Sequence, residues 1–406
     1  MKAEESRAEQ RIAELGRRML TFLPEDLVVK ILSKLPPKSL IRFRCVSKTW
    51  DALIGNPDFF SRNLLNQSIF TPTQNPDRPL PLLLVSATDK FNAERELFSF
   101  LSYDTLECVS RIPLNLPPAP NNDCFVTIPN CNLKVVASCK GILCLYDFRT
   151  RDIYLWNPAT PSAGLKALPP FSRHPEPGVI VYLLGVGFGF DPRSKDFKVV
   201  RIRKVARGPD ATKRVKKEVE VYSVSDGYWR MIDVSVPFGF RGGWRTAAFD
   251  GVFFWWSLGL ITVAFDFSDE VFRTTPFPHA RSALYFSHKL MVLNGCIAMA
   301  VFPRASGKVN MSLEIWVLLE FGVKESWTLF INIGLPPDLE RPLRFWKNGE
   351  LFMENSEGQL VLYDPFTRTR KNLQIEGVKE SLEVALFTQS SVAINGGVEL
   401  EGGDNL

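Results

Sequence analysis

Six stretches of this chain share one shape, and that repetition limits the possible fold more than any other feature. They are ELFSFLSYDTLECVSRIPL from Glu96, DIYLWNPATPSAGLKALPP from Asp152, VEVYSVSDGYWRMIDVSVP from Val219, ITVAFDFSDEVFRTTPFP from Ile261, LEIWVLLEFGVKESWTLFINI from Leu313 and LVLYDPFTRTRKNLQIEG from Leu360. Each reads as strand, polar turn, strand and a proline or glycine exit, and the starts lie 56, 67, 42, 52 and 47 residues apart. Between them lie further two-strand runs. VVASCKGILCLYD, AAFDGVFFWWSLG, HKLMVLNGCIAMAVF and LRFWKNGELFMEN turn at Lys-Gly, Asp-Gly, Asn-Gly and Asn-Gly-Glu, while LLGVGFGFDPRSKDFKVVRI turns through Asp-Pro-Arg-Ser-Lys-Asp. A glycine in such a tight turn between apolar runs is a hairpin signal. Four strands per repeat, at this period, is the content of a propeller blade. One blade cannot bury both of its faces, so neighbours must stack and the ring must close. LPLLLVSA (Leu80–Ala87) and VALFTQSSVAIN (Val384–Asn395) are expected to meet at that closure.

Composition agrees. The 406 residues are 45% hydrophobic and 23% charged, as in globular chains, and 12% aromatic, with 31 Phe and 9 Trp, which favours packed β-structure. The N-terminus shows no apolar secretory core. No uncharged run, Gly251–Phe265 and Leu290–Pro303 included, reaches the roughly 18 or more residues a spanning helix needs, so no membrane role is expected. Seven cysteines (Cys45, Cys108, Cys124, Cys131, Cys139, Cys144 and Cys296) without paired spacing read as reduced thiols of a cytoplasmic or nuclear protein. The sequons at Asn66 and Asn310 mean little there. Net charge is +5, but Lys195–Lys217 holds ten Lys/Arg against two acidic residues, leaving the remainder slightly acidic. The stretch RIRKVARGPDATKRVKKE reads as a solvated hairpin loop between two strands of one blade; the rival reading is a nuclear-import or nucleic-acid patch, or more readily an attractor of acidic protein surfaces. No aromatic residue interleaves the charges of that stretch, which argues against stacking on single-stranded nucleic acid.

The stretch LPEDLVVKILSKLPPKSLIRFRCVSKTW, Leu23 to Trp50, breaks the β pattern. Pro24, Glu25 and Asp26 suit a helix start. Leu27, Ile31, Leu32 and Leu35 form one apolar stripe. Pro36-Pro37 ends that helix and Pro37 can start the next, with Leu40 and Phe43 inward. A third run carries Val46, Trp50, Leu53 and Ile54, and Asp58–Leu65 makes a last turn. About 45 residues lie near the lower limit for autonomous folding, so this block must pack on the β-domain or be covered by another protein.

On these residues the block resembles the F-box. An LP start, an acidic pair, IL, a central LP, K-S-L-I-R-F, C-V-S-K-T-W and a trailing N-P-D-F match without a gap from roughly Met19 to Asn66. The resemblance implies a helix bundle that docks the Skp adaptor of a Skp–cullin–F-box ubiquitin ligase. Carried over by position, Leu23, Pro24, Leu27, Ile31, Leu32, Leu35, Pro36, Leu40, Val46 and Trp50 face or support the adaptor. SCKGILCLYD, LWNPAT and GFGFDPRSKDFKVV resemble the F-box-associated domain of a large plant family, most closely its S-locus and F-box/kelch branch. The expected chain is α+β and multidomain. It has an N-terminal extension (1–18), a three- to four-helix F-box (19–66), a linker (67–81), an all-β, kelch-like propeller of about six blades (82–396) and a tail (397–406).

No catalytic constellation emerges. The three histidines, His174, His279 and His288, stand apart, and no HExxH or CxxC occurs, so neither metal nor cofactor is expected. Cys139 and Cys144 flank a hairpin turn and read as small buried hydrophobes. Gly185-Val-Gly-Phe-Gly lacks the GxGxxG spacing and a following helix. Trp255, Trp256, Trp244 and Phe238–Phe240 are either partner anchors or core; Arg241, Trp244 and Arg245, in FGFRGGWR, are the candidate target contacts. The expectation is a non-catalytic substrate receptor whose F-box binds the adaptor, and through it the cullin and RING subunits, while the β-domain holds a target protein. The rivals are a pollen S-locus factor that recognises a secreted ribonuclease, and a propeller lectin or enzyme.

Overall fold

In the computed structural model, residues 24–33, 35, 37–54, 59, 81–92, 94–115, 133–160, 164–170, 179–207, 215–237, 246–257, 260–278, 286–293, 295–303, 312–365, 367–390, 392 and 394 are described. Among the described residues three short helices come first: α1 (Glu25–Leu32), α2 (Pro37–Arg44) and α3 (Lys48–Ile54). Of the described residues after them, all but Phe59 and two single-turn 3-10 helices, Lys324–Ser326 and Lys347–Gly349, are strand, turn or irregular chain. Among the described residues no helix is long and apolar enough to cross a membrane.

The described residues then form six antiparallel sheets of four strands. Blade 2 is β4 (Leu133–Cys139), β5 (Ile142–Asp147), β6 (Ile153–Trp156) and β7 (Lys166–Ala167). Blade 3 is β8 (Val179–Asp191), β9 (Asp196–Arg207), β10 (Val215–Ser223) and β11 (Trp229–Ile232), and blade 4 is β12 (Thr246–Phe249), β13 (Val252–Ser257), β14 (Ile261–Asp266) and β15 (Val271–Pro276). Blade 5 is β16 (Phe286–Leu293), β17 (Cys296–Pro303), β18 (Ser312–Leu318) and β19 (Trp327–Gly334), and blade 6 is β20 (Leu339–Phe345), β21 (Leu351–Asn355), β22 (Gln359–Tyr363) and β23 (Arg370–Glu376). Blade 1 is made from both ends of the domain: β24 (Glu383–Phe387) pairs with β1 (Leu82–Thr88), followed by β2 (Arg95–Ser102) and β3 (Cys108–Asn115). Leu82 lies opposite Phe387 and Ser86 opposite Glu383, so the two expected segments do meet. Each of the six repeated phrases begins at or next to the third strand of a blade: β2, β6, β10, β14, β18 and β22.

The core lies in the seams. One apolar cluster joins Leu84, Phe98, Leu143 and Trp156 between blades 1 and 2, and another joins Val85, Leu101, Phe352 and Leu362 between blades 6 and 1. Seams between blades 4 and 5 and between 5 and 6 are filled in the same way. Both faces of a central strand are therefore covered, which explains how a charged run can be a strand. On β9, Val200 and Ile202 enter the core while Arg201 and Arg203, on the opposite face, are also buried. Glu220 on β10 stands directly across from Arg201, and Glu218 across from Arg203. The solvated-loop reading of the basic segment is thus corrected at these positions; its apex, 208–214, lies outside the described residues.

Candidate functional site

The helical block has its own small core. Val28, Val29 and Leu32 of α1, Leu40 of α2, Ile54 of α3 and Phe59 are buried together, with Leu35, Phe43, Trp50 and Leu53 packed around them. Among the described residues no strand residue belongs to this cluster. Pro24 precedes α1, and its carbonyl accepts the amides of Leu27 (2.9 Å) and Val28 (3.2 Å), a role that needs no N–H from the proline itself. Ser47 Oγ accepts the Trp50 amide at 3.1 Å near the start of α3, and the Trp50 ring meets Phe43 edge-on at 5.6 Å.

The apolar stripe expected on α1 divides. Leu32 turns inward, whereas Leu27 and Ile31, four residues apart and so on one side of the helix, are 44% and 51% exposed. Val46, expected within the third helix, sits in the turn before α3 and is 44% exposed. Of the ten positions carried over for adaptor binding, Leu27, Ile31 and Val46 offer apolar surface, and Pro24 is exposed beside them in sequence. Leu32 and Leu40 are buried, and Leu35 and Trp50 half-buried, supporting that surface from within. Leu23 and Pro36 lie outside the described residues, as do the target-contact candidates Arg241, Trp244 and Arg245.

The signature phrases of the β-domain are joints. Asn157 of LWNPAT is buried, donates to the carbonyls of Ser390 (3.0 Å) and Val392 (2.7 Å), and accepts the Ala159 amide at 3.0 Å. It thereby ties blade 2 to the chain that follows β24. Gly141, in the Ser-Cys-Lys-Gly turn with φ +83°, meets the same segment, because any Cβ there would overlap Ser390. In GFGF, a Cβ on Gly187 would lie 2.7 Å from the Trp255 ring, and one on Gly189 would overlap Phe267. Those glycines admit the aromatic residues of blade 4. Trp255 in turn donates to the Val186 carbonyl at 3.1 Å. Trp255 and Trp256 are core, which removes them as partner anchors.

Asp191 caps the same seam. It accepts Lys198 Nζ at 2.7 Å, Ser194 Oγ at 2.6 Å and Ser268 Oγ at 2.6 Å. Burial alone would raise its pKa, but these donors hold the carboxyl well below the usual carboxylate range.

A feature that no sequence motif announced lies on four consecutive inner strands. Glu383 of β24 pairs with Lys134 of β4, with Lys289 of β16 at 3.3 Å and with Arg341 of β20 at 3.5 Å; Arg341 also reaches Glu354 at 2.5 Å. Burial pushes Lys289 down to about 8 despite Glu383, whereas the three cations hold Glu383 far below its ordinary value against its own burial. These residues are far apart in sequence, and only ring closure brings them together.

Catalytic candidates fare differently. Burial raises the Cys139 thiol to about 11 and the Cys144 thiol further, the opposite of an activated nucleophile. His288 is buried and stacked on Trp256 at 4.9 Å. His174 and His279 lie outside the described residues.

Comparison with known proteins fits these parts. A family model described as "F-box domain" matches residues 20–62, and one described as "F-box associated beta propeller domain" matches residues 101–392. The Arabidopsis thaliana F-box protein At3g07870 is 27% identical, over 88% of this chain and 89% of its own length. The F-box/kelch-repeat protein At3g23880 of the same plant is 25% identical, over 84% and 87%. The F-box protein CPR1, also from Arabidopsis thaliana, is 26% identical, over 92% and 89%.

Proposed function

Because the chain belongs to the F-box proteins that carry an F-box-associated β-propeller domain, we propose that it is the substrate-receiving subunit of a Skp–cullin–F-box ubiquitin ligase. The observation that carries this reading is the exposed apolar surface of Leu27 and Ile31 on α1 and Val46 in the turn before α3, beside a small core in which Val28, Val29, Leu32, Leu40, Ile54 and Phe59 already pack together. Full burial of such a side chain stabilises by ~1.5–3 kcal/mol, so half-exposed residues withhold roughly 1 kcal/mol each until a partner covers them. The adaptor supplies that cover. Leu23, Pro24 and Pro36 extend the contact, while Leu32, Leu35, Leu40 and Trp50 hold its shape.

The chemistry is performed elsewhere in the assembly. The propeller holds a target protein so that its lysines sit near the conjugating enzyme carried through the cullin and RING subunits. Tethering raises effective concentration and needs no acid, base or nucleophile from this chain. The place of work is the cytoplasm, the nucleus or both.

Co-expression with a Skp-type adaptor tests the reading. The two are expected to co-purify in equal amounts and to recruit a cullin–RING pair. Failure of the full chain to retain the adaptor would remove the ligase assignment. Affinity capture with the proteasome inhibited, followed by mass spectrometry, then identifies the target.

A further inference from the structure

The seam between blades 1 and 6 opens into a cleft of about 380 Å³, the size of a site for a small ligand or a few peptide residues. One wall is the face of β2 on which Arg95, Leu97 and Ser99 alternate with the buried Glu96 and Phe98. The other is β23, the outer strand of blade 6, which contributes Gln374, Ile375 and Glu376. Gln374 has φ +58°, a left-handed conformation that a glutamine rarely adopts, and the pairing of β22 with β23 shifts register beside it. The irregularity lies in the wall of the cleft.

Three cations, Lys90, Arg95 and Arg111, line the cleft against two carboxylates, Asp89 and Glu376, and the two arginines are incompletely used. Lys90 is held by Glu376 at 2.9 Å. Arg95 comes no closer than 3.9 Å to Asp89, and its Nε is buried without a hydrogen-bond partner. Arg111, directly opposite Ser99 on β3, donates Nε to Ser99 Oγ at 3.2 Å and meets no carboxylate among the described residues. Two guanidinium forks beside an apolar floor of Leu97 and Ile375 match a carboxylate next to an apolar side chain. At the mouth, on the β1–β2 hairpin, Phe91 is 92% exposed. The cleft also lies at the far end of β1 from Leu82, where the chain enters the propeller, a distance of ~20 Å at about 3.3 Å per residue.

We propose that this cleft binds an extended acidic segment of a partner protein, one Asp or Glu bridging Arg95 and Arg111, with an adjoining leucine or aromatic residue on Leu97 and Ile375 beneath Phe91. That this segment belongs to a ubiquitination target rests on the ligase reading; the cleft and its chemistry do not.

Selection of a random peptide library on the immobilised full chain tests the proposal. The enriched peptides are expected to carry an acidic residue beside a large apolar one. A synthetic peptide of the winning sequence should bind Arg111→Gln and Phe91→Ser about tenfold or more weakly than wild type, the scale of one charged hydrogen bond or one apolar anchor. Both changed side chains are exposed, so neither variant threatens the fold, and each should capture the Skp-type adaptor as wild type does. Selection of neutral or basic peptides, selection of none, or equal affinity across wild type and both variants overturns the assignment. A wild-type chain that selects acidic peptides yet captures no adaptor counts against the ligase reading while supporting the cleft.

Discussion

Replacing Glu220 by alanine should damage the propeller more than any other single change in the basic segment. Its carboxylate lies 2.5 Å from Arg201 Nε and 2.9 Å from Arg203 Nη2, and Arg203 reaches Glu218 at 3.0 Å. The Arg201 guanidinium also covers the Trp229 ring at 3.8 Å. All three central groups are buried, and burial pulls Arg201 below the ordinary guanidinium value even with Glu220 beside it. Removing one partner of such a cluster leaves charge stranded in a poorly solvated seam, at a cost of ~3–5 kcal/mol. Against a typical total stability of ~5–15 kcal/mol that is severe. Replacing the facing pair together, Arg201→Met with Glu220→Leu, leaves Arg203 on Glu218 and puts apolar bulk in the seam. That double variant should return to within ~1–2 kcal/mol of wild type. Urea unfolding followed by tryptophan fluorescence reads both, as shifts in midpoint at constant slope. A Glu220→Ala loss below ~1 kcal/mol, or a double variant no better than the single one, would refute the claim that these charges are buried and mutually dependent.

Three further outcomes follow from the joints. Asn157→Ala removes both donors to the segment after β24 and leaves two carbonyls wanting, so a loss of ~2–3 kcal/mol and earlier proteolysis near residue 390 are expected in limited digestion. Gly187→Ala sets a Cβ 2.7 Å from the Trp255 ring, about 1 Å inside normal contact, and overpacking of this kind should cost ~1–3 kcal/mol in thermal unfolding. Glu96 is buried, and burial raises its pKa from 4.5 to about 7 although Thr88 donates to it at 2.8 Å. Between those values the folded chain holds the proton that the unfolded chain releases. Stability from this group is therefore complete below pH 4.5, falls as pH rises to about 7 and stays lost above it. Glu96→Gln should accordingly stabilise at pH 8 by ~1–3 kcal/mol and change little at pH 4.5, as read from paired denaturation curves.

The ring was legible because its strands announce themselves locally. Alternating apolar residues, Lys-Gly, Asp-Gly and Asn-Gly turns and proline exits recur at a steady interval, and the six phrases mark the third strand of each blade. Strand closure was legible for the same reason: two terminal β-segments were left over. The roles of charged residues were not legible. Periodicity says that Arg201 and Val200 point in opposite directions, but it cannot say that both directions are dry; that needs the neighbouring blades. Glu383 with Lys134, Lys289 and Arg341 is likewise a product of closure, as is the cleft between β2 and β23. On α1 the spacing gave the apolar positions but not their division, because Leu32 and Ile31 are equally apolar and only the packing of α2 and α3 separates inside from outside.

The central claim is that Leu27, Ile31 and Val46 are a surface awaiting another subunit. Titration calorimetry of the full chain against a purified Skp-type adaptor tests it, with wild type compared to Leu27→Asp/Ile31→Asp. Wild type should bind one to one, and the double variant about a hundredfold more weakly or not at all, since two carboxylates would have to be buried in the contact. Its thermal unfolding should stay near wild type, because both side chains are already half in water. Equal affinity for the two chains would contradict the account.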